Sequence, residues 1–207
     1  MDNRLDTNIF ILSIYDQNYL SAFKKFVKDE RGPLPLCLHK EITKKITDLI
    51  TLMGKINSDL NNDIELTNIP EIKDLEINYS NIFNTLKHRT KKFNDKKALS
   101  LLLNEFQDKL EDVDSWLDSI SHYPEDRLVE KNILKKYKIQ LTKLKRVRGL
   151  HREDLEILCI ANHQKRNTSD KVNFVTRDGE LSHNKNIIEE ELQCIKVIKV
   201  LDYLKLA

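Results

Sequence analysis

The chain has 207 residues, enough for one α/β domain with an elaboration or two small domains, and its 40% apolar content can supply a core. Four glycines and four prolines argue against a long low-complexity chain, and a net charge of +2 leaves any nucleic-acid surface to local segregation of charge. Cys37, Cys159 and Cys194 are odd in number, far apart and in apolar company, so they fit neither a disulfide framework nor a zinc spacing and read as buried thiols.

The start Met1-Asp2-Asn3-Arg4 has no apolar signal core behind it, and no apolar run approaches the ~20 residues of a membrane span; a cytoplasmic protein without a membrane partner is the expectation. Asp6-Thr7-Asn8 precedes Ile9-Phe10-Ile11-Leu12, an Asx residue before an apolar run, and predicts a helix start. Tyr19, Leu20, Phe23, Phe26 and Val27 predict a second helix that Gly32-Pro33 ends. Leu34 to Leu38 read as a short buried strand, and from Glu41 onward Ile42, Ile46, Leu49, Ile50 and Met53 follow helical spacing.

The block 48–147 has almost no strand character. Residues 57–78, rich in Asn and Asp and holding Pro70, read as a long connection. Tyr79, Ile82, Phe83 and Leu86 predict one helix, and the apolar series from Leu99 through Trp116 to Ile120 predicts another. Pro124, with Glu125 and Asp126, suits the first turn of a third, whose stripe is Ile133, Leu134, Tyr137, Leu141 and Leu144. Such stripes read as core, Trp116 and Tyr137 included.

Past Gly149, Asp154 to Ala161 is a strongly apolar helix, Val172 to Thr176 a buried strand, Asn186 to Leu192 a helix and Ile195 to Val200 a last strand. Strands alternating with helices predict a parallel α/β sheet whose two parts, 1–47 and 148–207, flank an all-α insertion over 48–147.

In a parallel sheet, functional groups gather where strands end and helices begin. Asp6, Glu41, Asp154 and Asp178 are predicted near such junctions. Each alone has a plain explanation as a helix cap, a first-turn acid or a turn residue. Together, carboxylates converging on one crevice repel unless a cation joins them, and hard ions such as Mg²⁺ or Mn²⁺ favour all-oxygen ligands.

The ordered series Asp6-Thr7-Asn8, Glu41 within Leu38-His39-Lys40-Glu41-Ile42, Asp154-Leu155-Glu156-Ile157-Leu158 through Ala161, and Phe174-Val175-Thr176-Arg177-Asp178 resembles the PIN-domain nucleases, a family that includes the VapC-type toxins. The resemblance covers about half the chain. It implies a three-layer fold with a central parallel sheet and a metal-dependent endoribonuclease. Asp6, Glu41, Asp154 and Asp178 would be the catalytic, metal-binding acids, and Asn8 and Thr176 would orient the acids or the substrate. It further implies Mg²⁺ or Mn²⁺ as cofactor, water attack leaving 5′-phosphate and 3′-hydroxyl ends, and a homodimer. Two features depart from the family: a polar first strand, and the long middle block, which compact toxin-type members lack.

Between Lys131 and Arg148 lie eight basic residues and no acid, and on one continuous helix Lys131, Lys135, Lys138 and Lys145 would share a face. With Arg146 and Arg148 they could hold RNA; the same run also reads as an ordinary solvated face. Lys87, Arg89, Lys91, Lys92, Lys96 and Lys97 form a second cluster. The insertion could instead bind an antitoxin or another protein partner. His39, His151, His163 and His183 stand near the acids in sequence without metal-ligand spacing. Two rival readings remain: a catalytically idle PIN scaffold serving as a protein or RNA interaction module, and a structure-specific DNA nuclease.

Overall fold

Every residue from Val172 to Thr176 is buried, Asn173 and Thr176 included, so both faces of this stretch are covered. In the computed structural model, which describes residues 2–29, 34–62, 64–120, 122–124, 126–166 and 171–206, it is the middle strand of a small parallel sheet. In chain order, β1 (Asp2–Leu5) leads into α1 (Thr7–Leu12) and α2 (Gln17–Asp29), and β2 (Leu34–Pro35) into the long α3 (Leu36–Asn61). A 3-10 turn (Leu66–Asn68), α4 (Pro70–Asn78), α5 (Ser80–Arg89) and α6 (Lys96–Asp118) follow. Next come β3 (His122–Tyr123), α7 (Arg127–Lys136), α8 (Lys138–Leu144) and α9 (Arg152–Lys165). The chain ends with β4 (Val172–Thr176), α10 (Gly179–His183), α11 (Lys185–Glu191), β5 (Ile195–Lys199) and α12 (Val200–Lys205). The fold is therefore mixed α/β and mostly helical. β4 lies between β1 and β5, all parallel, with Leu5 opposite Val175 and Thr176 opposite Lys199.

The polarity of β1 has a structural answer. Asn173 Nδ2 donates to Asn3 Oδ1 at 2.9 Å, and the fully buried Arg4 donates to Asn3 O at 2.6 Å and Gln164 Oε1 at 3.3 Å. A buried cation with hydrogen-bond acceptors avoids most of the desolvation penalty that an unpaired one would carry.

α3 starts at Leu36, where a strand through Leu38 was expected. A short apolar run does not distinguish a buried strand from a buried helix turn, and Leu38, Ile42 and Ile46 continue at four-residue spacing. Glu41 thus sits in the second turn of a helix rather than at the start of one. The buried stripe runs on through Leu49, Met53, Ile56 and Leu60, past the expected boundary at 47/48. It packs along Leu99, Leu103, Phe106, Leu110, Val113 and Leu117 of α6. Both series alternate steps of three and four, the spacing that keeps two apolar seams facing each other.

Residues 57–78 are mainly helical rather than a connection. Their polar composition hid Leu60, Ile69 and Leu75, which are buried, and Pro70 opens α4 where its missing N–H costs nothing. The third helix of the middle block does not begin at Pro124: the Tyr123–Pro124 bond is cis, β3 pairs in parallel with β2, and α7 begins at Arg127. Asp126 is its cap, Oδ1 accepting from Leu128 N at 2.7 Å and Val129 N at 2.9 Å. That helix is also broken at Tyr137, so Lys131 and Lys135 lie on α7, Lys138 on α8 and Lys145 at its end. The single basic face is lost, though all four remain exposed with Arg146 and Arg148. α10 and α12 were not anticipated. The expected stop at Gly32-Pro33, and Glu125, lie outside the described residues.

α9 is buried nearly all round from Leu155 to Asn162. Asn162, 6% exposed, is the polar exception and is satisfied: its Nδ2 donates to Tyr137 Oη at 3.0 Å and its Oδ1 accepts from Cys194 N at 2.9 Å. Asn162→Leu is expected to cost about 2–3 kcal/mol, because both partners then lose their hydrogen bonds beneath the surface. Chemical denaturation of the two proteins measures it. Of the thiols, Cys159 is buried, and Cys37 and Cys194 are partly covered. Among the described residues no helix is long and apolar enough to cross a membrane.

Candidate functional site

The carboxyl ends of β1 and β4 lie side by side, and two of the four acids stand there. Asp6 follows β1, its N–H donating to Val175 O at 2.9 Å. It occupies the N-cap position of α1 but makes no side-chain cap bond; instead Oδ2 accepts from Thr176 Oγ1 at 2.8 Å. The helix-cap explanation is therefore incomplete for Asp6, a carboxylate 5% exposed that lies near the Asn8 N–H but takes its side-chain hydrogen bond from the end of the neighbouring strand. Asp178, two residues past β4, does cap a helix: Oδ1 accepts from Glu180 N at 2.6 Å and Leu181 N at 3.1 Å. Thr176 joins the two acids, since Asp178 N donates to the same Oγ1 at 2.8 Å.

Asp154 lies in the first turn of α9 and Glu41 in the second turn of α3. Electrostatics tie the four together. Burial pushes the Asp154 carboxyl up to about 7, the charges of Asp6, Asp178 and Glu41 push the same way, and His151 pulls against them. Burial likewise pushes Asp6 up to about 6; the Thr176 hydroxyl pulls it down, Glu41 pushes it up, and the nearby Asn8 backbone N–H and Lys45 pull it down. Four elements remote in sequence thus direct negative charge at one region.

The side chains do not form a closed ligand set. Among the described residues no three His, Cys, Asp or Glu side chains are grouped so as to hold a metal ion. Glu41 is held by Lys45, whose Nζ donates to Oε1 at 2.7 Å in an i,i+4 pair. In donor chemistry the set does suit a hard divalent cation: oxygen only, with two carboxyls pushed up first by burial and then by neighbouring acids. The histidines contribute less than their sequence positions suggested. His39 Nε2 lies 3.2 Å from Leu117 O, and His163 stands against the Tyr137 ring at the far end of α9.

Residues that the sequence did not single out border the acids. A hollow of about 620 Å³ is lined by Glu41, Lys44, Lys45 and Tyr79. It adjoins a smaller one of about 110 Å³, which shares Tyr79 and adds Asn8, Tyr15 and Arg177. That one adjoins a third of about 400 Å³, which shares Tyr15 and Arg177 and reaches Tyr19, His88 and Arg89. Asn8 is exposed towards this trough, as a substrate-facing group requires. The Glu41–Lys45 spacing was visible in the sequence; the approach of α5 to α1 was not, because those segments are some seventy residues apart. No protein-family model, curated protein or solved structure matches this chain.

Proposed function

We propose that the chain is a metal-dependent endoribonuclease with a PIN-like arrangement of its α/β part, using Mg²⁺ or Mn²⁺ to hydrolyse RNA phosphodiester bonds in the cytoplasm. The observation that carries the reading is the Asp154 carboxyl, pushed up to about 7 by burial and by Asp6, Asp178 and Glu41. A protein gains nothing structurally by aiming four carboxylates at one place, and a divalent cation offsets the repulsion.

Asp6, Glu41, Asp154 and Asp178 would hold the ion, which supplies Lewis acidity to the scissile phosphate. The protein's own groups do the rest. Thr176 Oγ1, bonded to Asp6 and to the Asp178 backbone, fixes the Asp6 rotamer and the start of α10 together. Asp154, whose carboxyl is pushed up to about 7 in the metal-free chain, would give up that proton on taking the ion. Lys45 neutralises Glu41 while no cation is bound and can turn to a phosphate when one is. The idle-scaffold reading draws support from Asp178, which is satisfied as a helix cap; Asp6, buried and without a side-chain cap bond, weighs against it.

Incubation with end-labelled single-stranded RNA is the test. Cleavage should require Mn²⁺ or Mg²⁺, stop with chelator and leave 5′-phosphate ends. Persistence of full activity in both Asp6→Asn and Asp154→Asn would show the acids to be misassigned, and no metal-dependent cleavage of RNA or DNA would leave the scaffold reading standing. Cutting of flapped DNA alone would make the chain a DNA nuclease.

A further inference from the structure

The hollow of about 400 Å³ lies between the start of α2 and the end of α5, and its chemistry differs from that of the acidic region beside it. Arg89 and Arg177 line it with His88, and among the described residues neither guanidinium is paired with a carboxylate. The one acid on the wall is Asp16, which already accepts from Asn18 N at 2.9 Å. Tyr15 and Tyr19 also line it, with the Arg177 guanidinium over the Tyr19 ring, 5.9 Å from its centre. The Tyr15 hydroxyl is buried and, among the described residues, has no hydrogen-bond partner. Buried hydroxyls are rarely left so, and this one belongs to a ring that lines the cationic hollow.

We propose that this hollow is a nucleotide subsite, in which Arg89 and Arg177 hold the phosphate of one unit of a single strand while Tyr15 and Tyr19 face its base. Arginines for phosphate and aromatic rings for bases are the pairing that single-strand grooves use. The strand's path follows from the shared walls: Tyr15 and Arg177 belong also to the hollow holding Asn8, and Arg177 directly precedes Asp178. A nucleotide seated here is continuous with a strand that runs past Asn8 towards Glu41, the acid of the four that lines this series of hollows. The exposed lysines from Lys87 to Lys97 extend the cationic surface beyond Arg89. The basic run 131–148, favoured by the sequence, lines none of these three hollows.

The subsite rests on the nuclease reading only for the direction of the strand, so binding is measured where no cleavage can occur. The full chain in EDTA is titrated with adenosine 5′-monophosphate, adenosine, inorganic phosphate and a 5′-phosphorylated single-stranded tetraribonucleotide, with fluorescence or calorimetry as the readout. The monophosphate should bind at least about tenfold more tightly than adenosine or phosphate. Arg89→Gln and Arg177→Gln should each weaken the tetranucleotide at least about tenfold, and Tyr15→Phe about threefold. All three are checked for an unchanged circular dichroism spectrum, and Asp6→Asn, which spoils the chemistry, should still bind. Failure of the wild type to bind the monophosphate at millimolar concentration overturns the subsite. So does phosphate binding as tightly as the monophosphate, or tetranucleotide affinity that survives both arginine substitutions. Binding without any cleavage, by contrast, sinks the nuclease reading and leaves the pocket intact.

Discussion

Asp154→Asn is expected to lower metal-dependent cleavage at least about 100-fold while making the metal-free protein more stable at pH 8. The stability half follows from the carboxyl's position. In the unfolded chain it titrates at 3.8, and in the folded chain at about 7. Below 3.8 both states are protonated and the carboxyl does not disfavour folding. Between 3.8 and 7 the folded state keeps a proton that the unfolded state has released, so stability falls as pH rises through this window; above it the loss is complete. Asp6, raised to about 6, adds to the same trend over a narrower range. At about 1.4 kcal/mol per pKa unit, discounted for partial solvent access and for coupling between the acids, Asp154→Asn should gain on the order of 2 kcal/mol at pH 8 and nothing near pH 3.5. Urea titrations in EDTA at several pH values measure this. Added Mn²⁺ should stabilise the wild type at pH 8 by mass action and leave Asp154→Asn nearly unmoved. A substitution that destabilised the protein at every pH would mean that the carboxyl is held by compensating partners, and the case for a cation would lose its main support.

What the sequence revealed and what it concealed divide along physical lines. β4 and α9 were legible because strongly apolar stretches of their lengths have few other solutions once polar turns bound them. α6 was legible because its stripe repeats over more than five turns. The start of α3 was not: Leu34 to Leu38 offers too few residues for either period to show, and the error placed Glu41 at the start of a helix in whose second turn it lies. α4 was concealed by the surface it presents, since most of its residues are exposed and polar while Leu75 alone is fully buried within it. The acids were readable as a set only through their order along the chain. That Asp6 is bonded by Thr176, that Glu41 is engaged by Lys45, and that Tyr15 and Arg177 line the same hollow are tertiary facts with no local signature.

Phe10→Ala is expected to be the most damaging single substitution in the region of the acids, costing about 3–5 kcal/mol and lowering the unfolding temperature by roughly 10 °C. Phe10 is fully buried on α1, four residues after Asp6, and its ring meets Phe23 at 5.9 Å, Phe26 at 6.1 Å and Trp116 at 6.0 Å between centres. Trp116 in turn meets Phe23 at 5.2 Å and Phe26 at 5.6 Å, both edge-on, so the four rings form a closed group from α1, α2 and α6. Its consequence is organisational. Trp116 belongs to the middle block that the sequence separated as an insertion, yet it packs on the helix that carries Asp6 away from β1. The pair can be measured: Phe10→Ala and Trp116→Ala should be less costly together than the sum of their separate costs, by about 1 kcal/mol in denaturant unfolding. Strict additivity would show that the middle block and the α1 region do not share this contact. With coupling, excision of 48–147 would strip a wall from the core that positions Asp6, because the block also supplies half of α3 and all of α6. The helical middle then acts as the support that holds α1, and through α1 the first acid, at the end of the sheet.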